Sequence, residues 1–529
     1  MADYDIVLRG GKVVDGTGNP WFHADVGIRE GKVATVGRIP AGSAQREVDT
    51  AGLVVAPGFI DLHTHSDATL LADGIAQSKV RQGVTLDIIG ESNSVAPLQG
   101  AVMEEYKLAQ RRRDDVEVDW TTFQGYFARI LRQGISMNLA SCVAPQQVKL
   151  AVVGYEDRPA TRKELDAMNA LVAQAMEEGA IGLSTAWHGG GYQYPQEIIE
   201  MTQAAAQYGG FYGSHVGSEG FELMEELEKA LRVGEASGLP VHIYHLKIRG
   251  RPNWGRVSEA IAMIEAARAR GLDVTANQYP YTAMQHPWHR LFPRWVEDMP
   301  PSQAIGQFRD SAFRQRVKQD PEFQQYIQEH GDWEGIVGSR FTNPALQNLE
   351  GKSVAQIAQE RGRDPVETCF DLVAEEGSFV FGVYHNMSED DVRTVMRQPW
   401  VSIASDAGAL NEAAPGKPHP RAYGTNPRVL GKYVRQERVL TLEDAIRKMT
   451  SLPAQVLGLR DRGVLREGCW ADLVAFDPDT VADTATYERP QQYPQGIPYV
   501  LVNGELVIDR GEHTGRRPGR VVYGPGKAG

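Results

Sequence analysis

Apolar and polar positions follow two different patterns along this chain. Over roughly the first fifty residues they alternate in short runs broken by turn residues, as in YDIVLRGGKVVDGTG and ADVGIREGKVATVG. A period of two is what a strand with one buried face requires, so a small antiparallel β unit is expected there. The last sixty or so residues return to it in GCWADLVAFDPD and YVLVNGELVIDRGEHTG. Two β-rich ends around a long middle predict one small β-sandwich domain made from residues 1–56 and 461–529.

In the middle, residues 57–460, continuous apolar runs alternate with helical periodicity. Eight runs stand out: GFIDLHTH, GVTLDIIG, SMNLASCV, IGLSTAW, GGFYGSHV, PVHIYHLK, VTANQYPY and WVSIASDA. Between the third and fourth, Leu165, Met168, Val172 and Met176 share a helical face that Gly179 should end. Later, Leu442, Ala445, Ile446 and Met449 form a second stripe, with Thr441 as its cap. Buried strands separated by crossover helices predict an α/β fold, a (β/α)8 TIM-like barrel. The stretch from about Ala283 to Asn343, between the seventh and eighth runs, exceeds an ordinary βα loop and predicts a lid insertion.

Composition narrows the partners. The chain has 529 residues, 42 % apolar and 23 % charged, with a formal net charge of −13. That charge argues against nucleic acid or an anionic membrane surface as a partner and leaves a small molecule. Cys142, Cys369 and Cys469 show no CxxC spacing. With no leader-like start, a reducing cytoplasm is the expected compartment. The charged run Arg111 to Asp119 reads as a solvated helix end or loop.

The chemistry begins at FIDLHTHSD. His63 and His65 are two residues apart at a strand end, so they project to the same side, and a barrel gathers its strand ends at one mouth. Alone, such a pair could be a hydrogen-bonded core feature. But His215 closes FYGSHVG, His245 closes VHIYHLK and Asp406 closes VSIASDAG. Four of only 13 histidines thus fall at strand ends with an acid beside them, a donor set suited to zinc or a similar divalent metal. His242 has the opposite parity to His245 and should face the surrounding helices. His188, His286 and His289 fit loop or lid contacts better than ligation.

The motifs APGFIDLHTHSD, EEGAIGLST, YGGFYGSHVGSEG, GLPVHIYHLK, YPYTA and HPRAYGTNPRVL, with MTSLPAQVLGLRDRGVLREGCWADLVAFDP and YVLVNG, span nearly the whole chain. In these the sequence resembles the amidohydrolase superfamily, and within it the D-aminoacylase (N-acyl-D-amino-acid deacylase) family. The resemblance implies one or two zinc ions, or other divalent metals, held by His63, His65, His215, His245 and Asp406. It also implies hydrolysis of an N-acyl amino acid, with Asp406 as general base and acid. Lys247 lies two residues past His245 on the same strand face, where it can meet a substrate carboxylate. Arg421 and Tyr279 match family positions that hold that group, and Tyr192 is a candidate cover.

The departures are informative. Where the family ends its second strand in GNCG, with cysteine as a ligand, this chain has GESNS. A carboxylate can bridge two metals whereas a serine hydroxyl is a poor replacement for thiolate, so Glu91 rather than Ser92 is expected as the ligand. Cys142 sits in an apolar run and reads as an inert buried thiol. HIRDEG has become HVGSEG, and the loops HGGGYQYP and AMQHPWH are unlike the family's, so chemistry transfers better than specificity. Two alternatives remain at this stage. Cyclic-amide hydrolysis, as in hydantoinases and dihydroorotases, typically uses a carboxylated lysine, and IGLSTAW contains none. A non-catalytic scaffold would be expected to lose ligands, and five persist. Oligomeric state is not readable.

Overall fold

A computed structural model describes residues 2–100, 102–104, 106–107, 116–187, 194–297, 299 and 301–527. Eight short strands follow the eight apolar runs: β1 (Phe59–Asp61), β2 (Val84–Ile89), β3 (Asn138–Ser141), β4 (Leu183–Ala186), β5 (Tyr212–His215), β6 (Val241–Ile243), β7 (Val274–Gln278) and β8 (Val401–Ile403). They pair in parallel as two arcs, β1-β2-β3 and β4-β5-β6-β7-β8. Isolated parallel bridges join the arcs at two seams, Val143 to Leu183 and Thr64 to Ala407. The continuous apolar runs reflect burial on both faces, as a parallel sheet wrapped in helices requires.

Inside the barrel, Ile60, Leu62, Leu86, Ile88, Ala140, Cys142 and Phe211 form one cluster. Outward residues such as Val84, Val241, Ile243, Val274 and Val401 pack against the helices. Cys142 is fully buried, and burial pushes its thiol up to about 12. Gly213 is required by packing, because a Cβ there would stand 2.3 Å from the Tyr244 hydroxyl. The helix Arg162–Glu178 starts at a capping box between Thr161 and Glu164, buries Leu165, Met168, Val172 and Met176, and ends at Gly179 with φ +112°. The Thr441 side chain caps Leu442–Met449.

Strand parity fails at one instructive place. His242 does not face the helices. It lies inside the barrel, edge-on to Phe211 and Tyr244, with Nδ1 2.8 Å from Thr275 Oγ1 and Nε2 2.9 Å from Asn277 Nδ2. The reason is His245, whose left-handed φ of +36° breaks the alternation. The Asn277 side chain holds that bend by accepting the His245 backbone N–H at 2.6 Å. A non-glycine residue pays of the order of 1–3 kcal/mol for such a backbone, so the surroundings must hold it there.

Both ends of the chain enter a single nine-stranded sheet, joined where Val54–Pro57 pairs antiparallel with Leu473–Phe476. Between β7 and β8, the strands Met284–Pro287, Ile336–Arg340 and Phe381–Tyr384 form a separate antiparallel sheet. Its core includes Trp288, Phe292, Phe308, Phe323, Phe370 and Tyr384, so this second core reaches well beyond Asn343. Residues Arg111 to Asp115 of the charged run lie outside the described residues. Among the described residues, no helix is long and apolar enough to cross a membrane.

Candidate metal centre

The strand ends bring six of the expected residues to one mouth. On the β1 side, His63 Nε2 lies 2.7 Å from Glu91 Oε2, and His65 Nε2 lies 2.9 Å from Asp406 Oδ1. His63 also stands 3.8 Å from Asp406, and His65 3.5 Å from Glu91. On the β5 side, His215 Nδ1 is 2.5 Å from Glu91 Oε1, and His245 Nε2 is 3.2 Å from His215 Nδ1. Glu91 therefore turns one oxygen to each half. Ligand-type atoms of His63, His65, Glu91 and Asp406 fall within 4.8 Å of one another, as do those of His215, Glu219 and His245.

This donor set fits zinc. Imidazole nitrogens and carboxylate oxygens are its ordinary ligands outside thiolate sites. Two imidazole nitrogens facing each other at 3.2 Å beside a carboxylate are better accommodated by a shared cation than by each other. Cys142, inside the barrel, belongs to neither group. Ser92 follows Glu91 at φ +66°, half-buried.

Electrostatics keep the acids ionised despite burial. Burial pushes the Asp406 carboxyl up, but the Arg421 guanidinium first, and then His63, outweigh it and hold it well below the usual range. For Glu91 the same burial cost is overcome by His215 and His63. Burial lowers His245 to about 3, helped by Lys247 and His215, so its imidazole is neutral and has a lone pair to give.

Glu219 belongs to the site without having been among the residues expected from sequence. It is the one acid left in HVGSEG, and its Oε1 lies 2.8 Å from His245 Nδ1, with Lys247 Nζ 2.7 Å from the same nitrogen. Its carboxylate also takes a short ion pair from Lys247, whose charge overcomes the cost of burying it and holds it well below the usual carboxylate range. A carboxylate behind a ligating histidine fixes the ring and its tautomer. An acid four residues beyond a strand-end histidine was the available signal.

The expected carboxylate-binding side chains lie next to the cluster. Arg421 Nη1 is 2.7 Å from Asp406 Oδ2. The Tyr279 ring lies between two cations, with the Arg421 guanidinium 4.7 Å and Lys247 Nζ 5.3 Å from its centroid. The Tyr279 hydroxyl and Arg421 Nε are buried and have no hydrogen-bond partner among the described residues. Tyr192 and His188 lie outside the described residues. His286 belongs to the insertion, stacked on Tyr384 with Nδ1 donating to the Pro287 carbonyl at 2.9 Å.

A buried charge cluster behind the β1–β8 seam sets the relation of its two ends. Lys79, fully buried, donates to Asp61 Oδ2 at 2.8 Å and Ser405 Oγ at 2.7 Å, and lies 3.6 Å from Asp87. Asp61 Oδ1 accepts the Ser405 backbone N–H at 2.9 Å, and Asp406 N–H donates to the His63 carbonyl at 3.0 Å. Asp61 precedes His63 by two residues and Ser405 adjoins Asp406, so one lysine ties the histidine pair to the acid opposite.

Comparison with known proteins agrees with this architecture. The model of the amidohydrolase family matches residues 46–288 and 331–508. The chain is 35 % identical to the D-aminoacylase of Alcaligenes xylosoxydans xylosoxydans, over 98 % of this chain and 97 % of that protein. It is 34 % identical to the N-acyl-D-glutamate deacylase of the same organism, over 98 % and 96 %. Among solved structures, the N-acyl-D-glutamate deacylase of Bordetella bronchiseptica, complexed with zinc and a phosphonate mimic of the tetrahedral intermediate, superposes with a TM-score of 0.81. It shares 30 % identity over 98 % of this chain and 99 % of that one. The fold is thus the TIM-barrel type of these enzymes, and the chain belongs to the amidohydrolase family, in its D-aminoacylase branch.

Proposed function

We propose that this protein is a zinc-dependent hydrolase that cleaves N-acyl-D-amino acids to a carboxylate and a free D-amino acid. The observation that carries this reading is the placement of Asp406. One of its oxygens lies 2.9 Å from His65 in the ligand cluster, the other 2.7 Å from Arg421 in the cationic pocket. In an N-acyl amino acid the scissile nitrogen sits on the carbon that bears the carboxylate. A base wedged between a metal site and a carboxylate pocket matches that spacing.

His63, His65, Glu91, His215, His245 and Asp406 would hold one or two zinc ions. When bound, zinc polarises the scissile carbonyl and lowers the pKa of water towards about 7. Asp406 takes the proton of the attacking water and returns it to the leaving nitrogen, so one carboxylate is base and then acid. Arg421 and Lys247 pair with the substrate carboxylate, and the Tyr279 hydroxyl donates to it. The domain plan goes with this reading: residues 1–56 and 461–529 form a small β-sandwich domain beside the 57–460 barrel, and the insertion, which starts near 283 and whose core runs past 343 to Tyr384, covers the mouth as a lid. The partner is a small molecule and the compartment the cytoplasm, which the acidic net charge and the three unspaced cysteines support.

The test is a zinc-quantified assay of N-acetyl-D-amino acids, their L-enantiomers, their methyl esters and cyclic imides. Preference for the D-acids is expected, with a large affinity loss on esterification. Equal cleavage of esters or L-acids removes the assigned role of Lys247 and Arg421, and preference for the imides would replace this reading by cyclic-amide hydrolysis.

A further inference from the structure

Residues 289–330 fall outside the family match, and their last helix ends on a buried carboxylate. Glu329 closes Pro321–Glu329 and is only 1 % exposed. The C-terminal end of a helix is the wrong place for an acid, because the macrodipole is negative there, and burial adds a desolvation cost. Glu329 therefore needs strong partners, and it takes them from two barrel loops. Arg249, in the loop after β6, places Nε and Nη2 each 3.1 Å from Oε2. Phe221, in the loop after β5, donates its backbone N–H to Oε1 at 3.4 Å, and Gln325 of the same helix adds a bond of 3.0 Å.

Those loops carry the residues behind the metal centre. The Arg249 backbone N–H donates to the Glu219 carbonyl at 2.8 Å. Glu219 holds His245 and Lys247, and Arg249 follows Lys247 by two residues. The insertion also grips from its other side: Asn386 Nδ2 donates to the Glu329 carbonyl at 3.0 Å, and the Asn386 carbonyl accepts the Gly250 N–H at 2.8 Å. The glycines give an independent sign that the contact is built in. A Cβ at Gly220 would stand 2.3 Å from the Glu329 carboxylate carbon, and one at Gly250 would stand 2.9 Å from Glu329 Cα. Gly250 also has φ +87°, where a side chain is strained.

We propose that Glu329 is a positioning residue for the hydrolysis: it pins the insertion to the loops after β5 and β6 and so fixes Glu219, and through it His245 and Lys247. This edge of the insertion is a fixed wall of the site. The proposal rests on the reading of His245 as a ligand and Lys247 as a carboxylate binder.

The full-length, zinc-loaded protein and its Glu329→Gln and Glu329→Ala variants are compared in three measurements. These are zinc affinity by chelator competition, KM and kcat on an N-acetyl-D-amino acid that the wild type cleaves, and thermal unfolding. Removing the direct outer partner of a metal-site histidine typically costs 10–100-fold, and Glu329 acts one step behind that partner, so zinc affinity should weaken and KM rise by several-fold to about tenfold, with kcat changing less. A lower unfolding temperature with unchanged zinc affinity and KM would mean that the contact only stabilises the insertion, and would overturn the proposal. Glu329→Gln keeps the shape and settles the matter if Glu329→Ala does not fold. Gly220→Ala should weaken zinc binding by itself, and Gly220→Ala with Glu329→Ala should be no worse than Glu329→Ala alone. Fully additive losses would contradict the shared contact. If the wild type cleaves no N-acetyl-D-amino acid, the substrate reading fails, and zinc affinity still decides the role of Glu329.

Discussion

The two halves of the site are held in place by different means. On the β1–β8 side, His63, His65 and Asp406 are aligned from within the barrel wall, where Lys79 joins Asp61 to Ser405 across a seam that has only an isolated bridge. On the β5–β6 side, His245 stands against a loop carboxylate, Glu219, and that loop is gripped by the insertion through Glu329. One half is built into the scaffold, and the other depends on a segment that the family model does not match.

The sharpest way to break the comparison is to remove a ligand from the loop-dependent half. His245→Ala should lose zinc and all measurable hydrolysis while far-UV circular dichroism stays that of the folded barrel. Full zinc content with normal turnover would remove this half from the site. Asp406→Asn acts on the other half and should keep zinc bound more weakly with turnover down at least about a hundredfold, the general-base contribution alone. Near wild-type turnover at neutral pH would mean that another group moves the proton.

Lys79→Met sharpens the contrast. It leaves Asp61 and Asp87 buried without their cation, and breaking a buried pair from one side costs about 3–5 kcal/mol. Denaturant unfolding should register that loss, with zinc binding at His63, His65 and Asp406 weakened more than at His215 and His245. Equal weakening of both halves would show that the seam does not separate them. The smallest effect is expected at the cationic pocket: Arg421→Met should raise KM for the free acid by about tenfold and leave KM for the methyl ester nearly unchanged, as loss of one charge-assisted contact predicts, while any change in turnover from the lost pair with Asp406 is common to both substrates. A matching loss on the ester would place Arg421 elsewhere in the reaction.

Much of the scaffold was legible because barrel strands buried on both faces leave continuous apolar runs, and all eight became strands. The histidines at their ends were legible for the same reason, since a strand end fixes where a side chain emerges. Alternation failed at His242 because a single left-handed residue, His245, reverses parity, and local sequence does not announce an αL histidine. Lys79 was invisible as a functional partner because its meaning lies in contacts with distant residues, whereas Glu219 carried only its spacing from His215 as a signal. The insertion's core reaches Tyr384, whose strand pairs with Met284–Pro287 across nearly a hundred residues, a pairing no local pattern reveals.

Glu91 joins the two halves, with one oxygen 2.7 Å from His63 and the other 2.5 Å from His215. The direct test is zinc titration of Glu91→Gln and Ser92→Ala against the wild type, read as stoichiometry and affinity. The account predicts that Glu91→Gln weakens zinc binding at both halves together, while Ser92→Ala binds as the wild type does. Wild-type titration of Glu91→Gln, with zinc lost instead from Ser92→Ala, would contradict it.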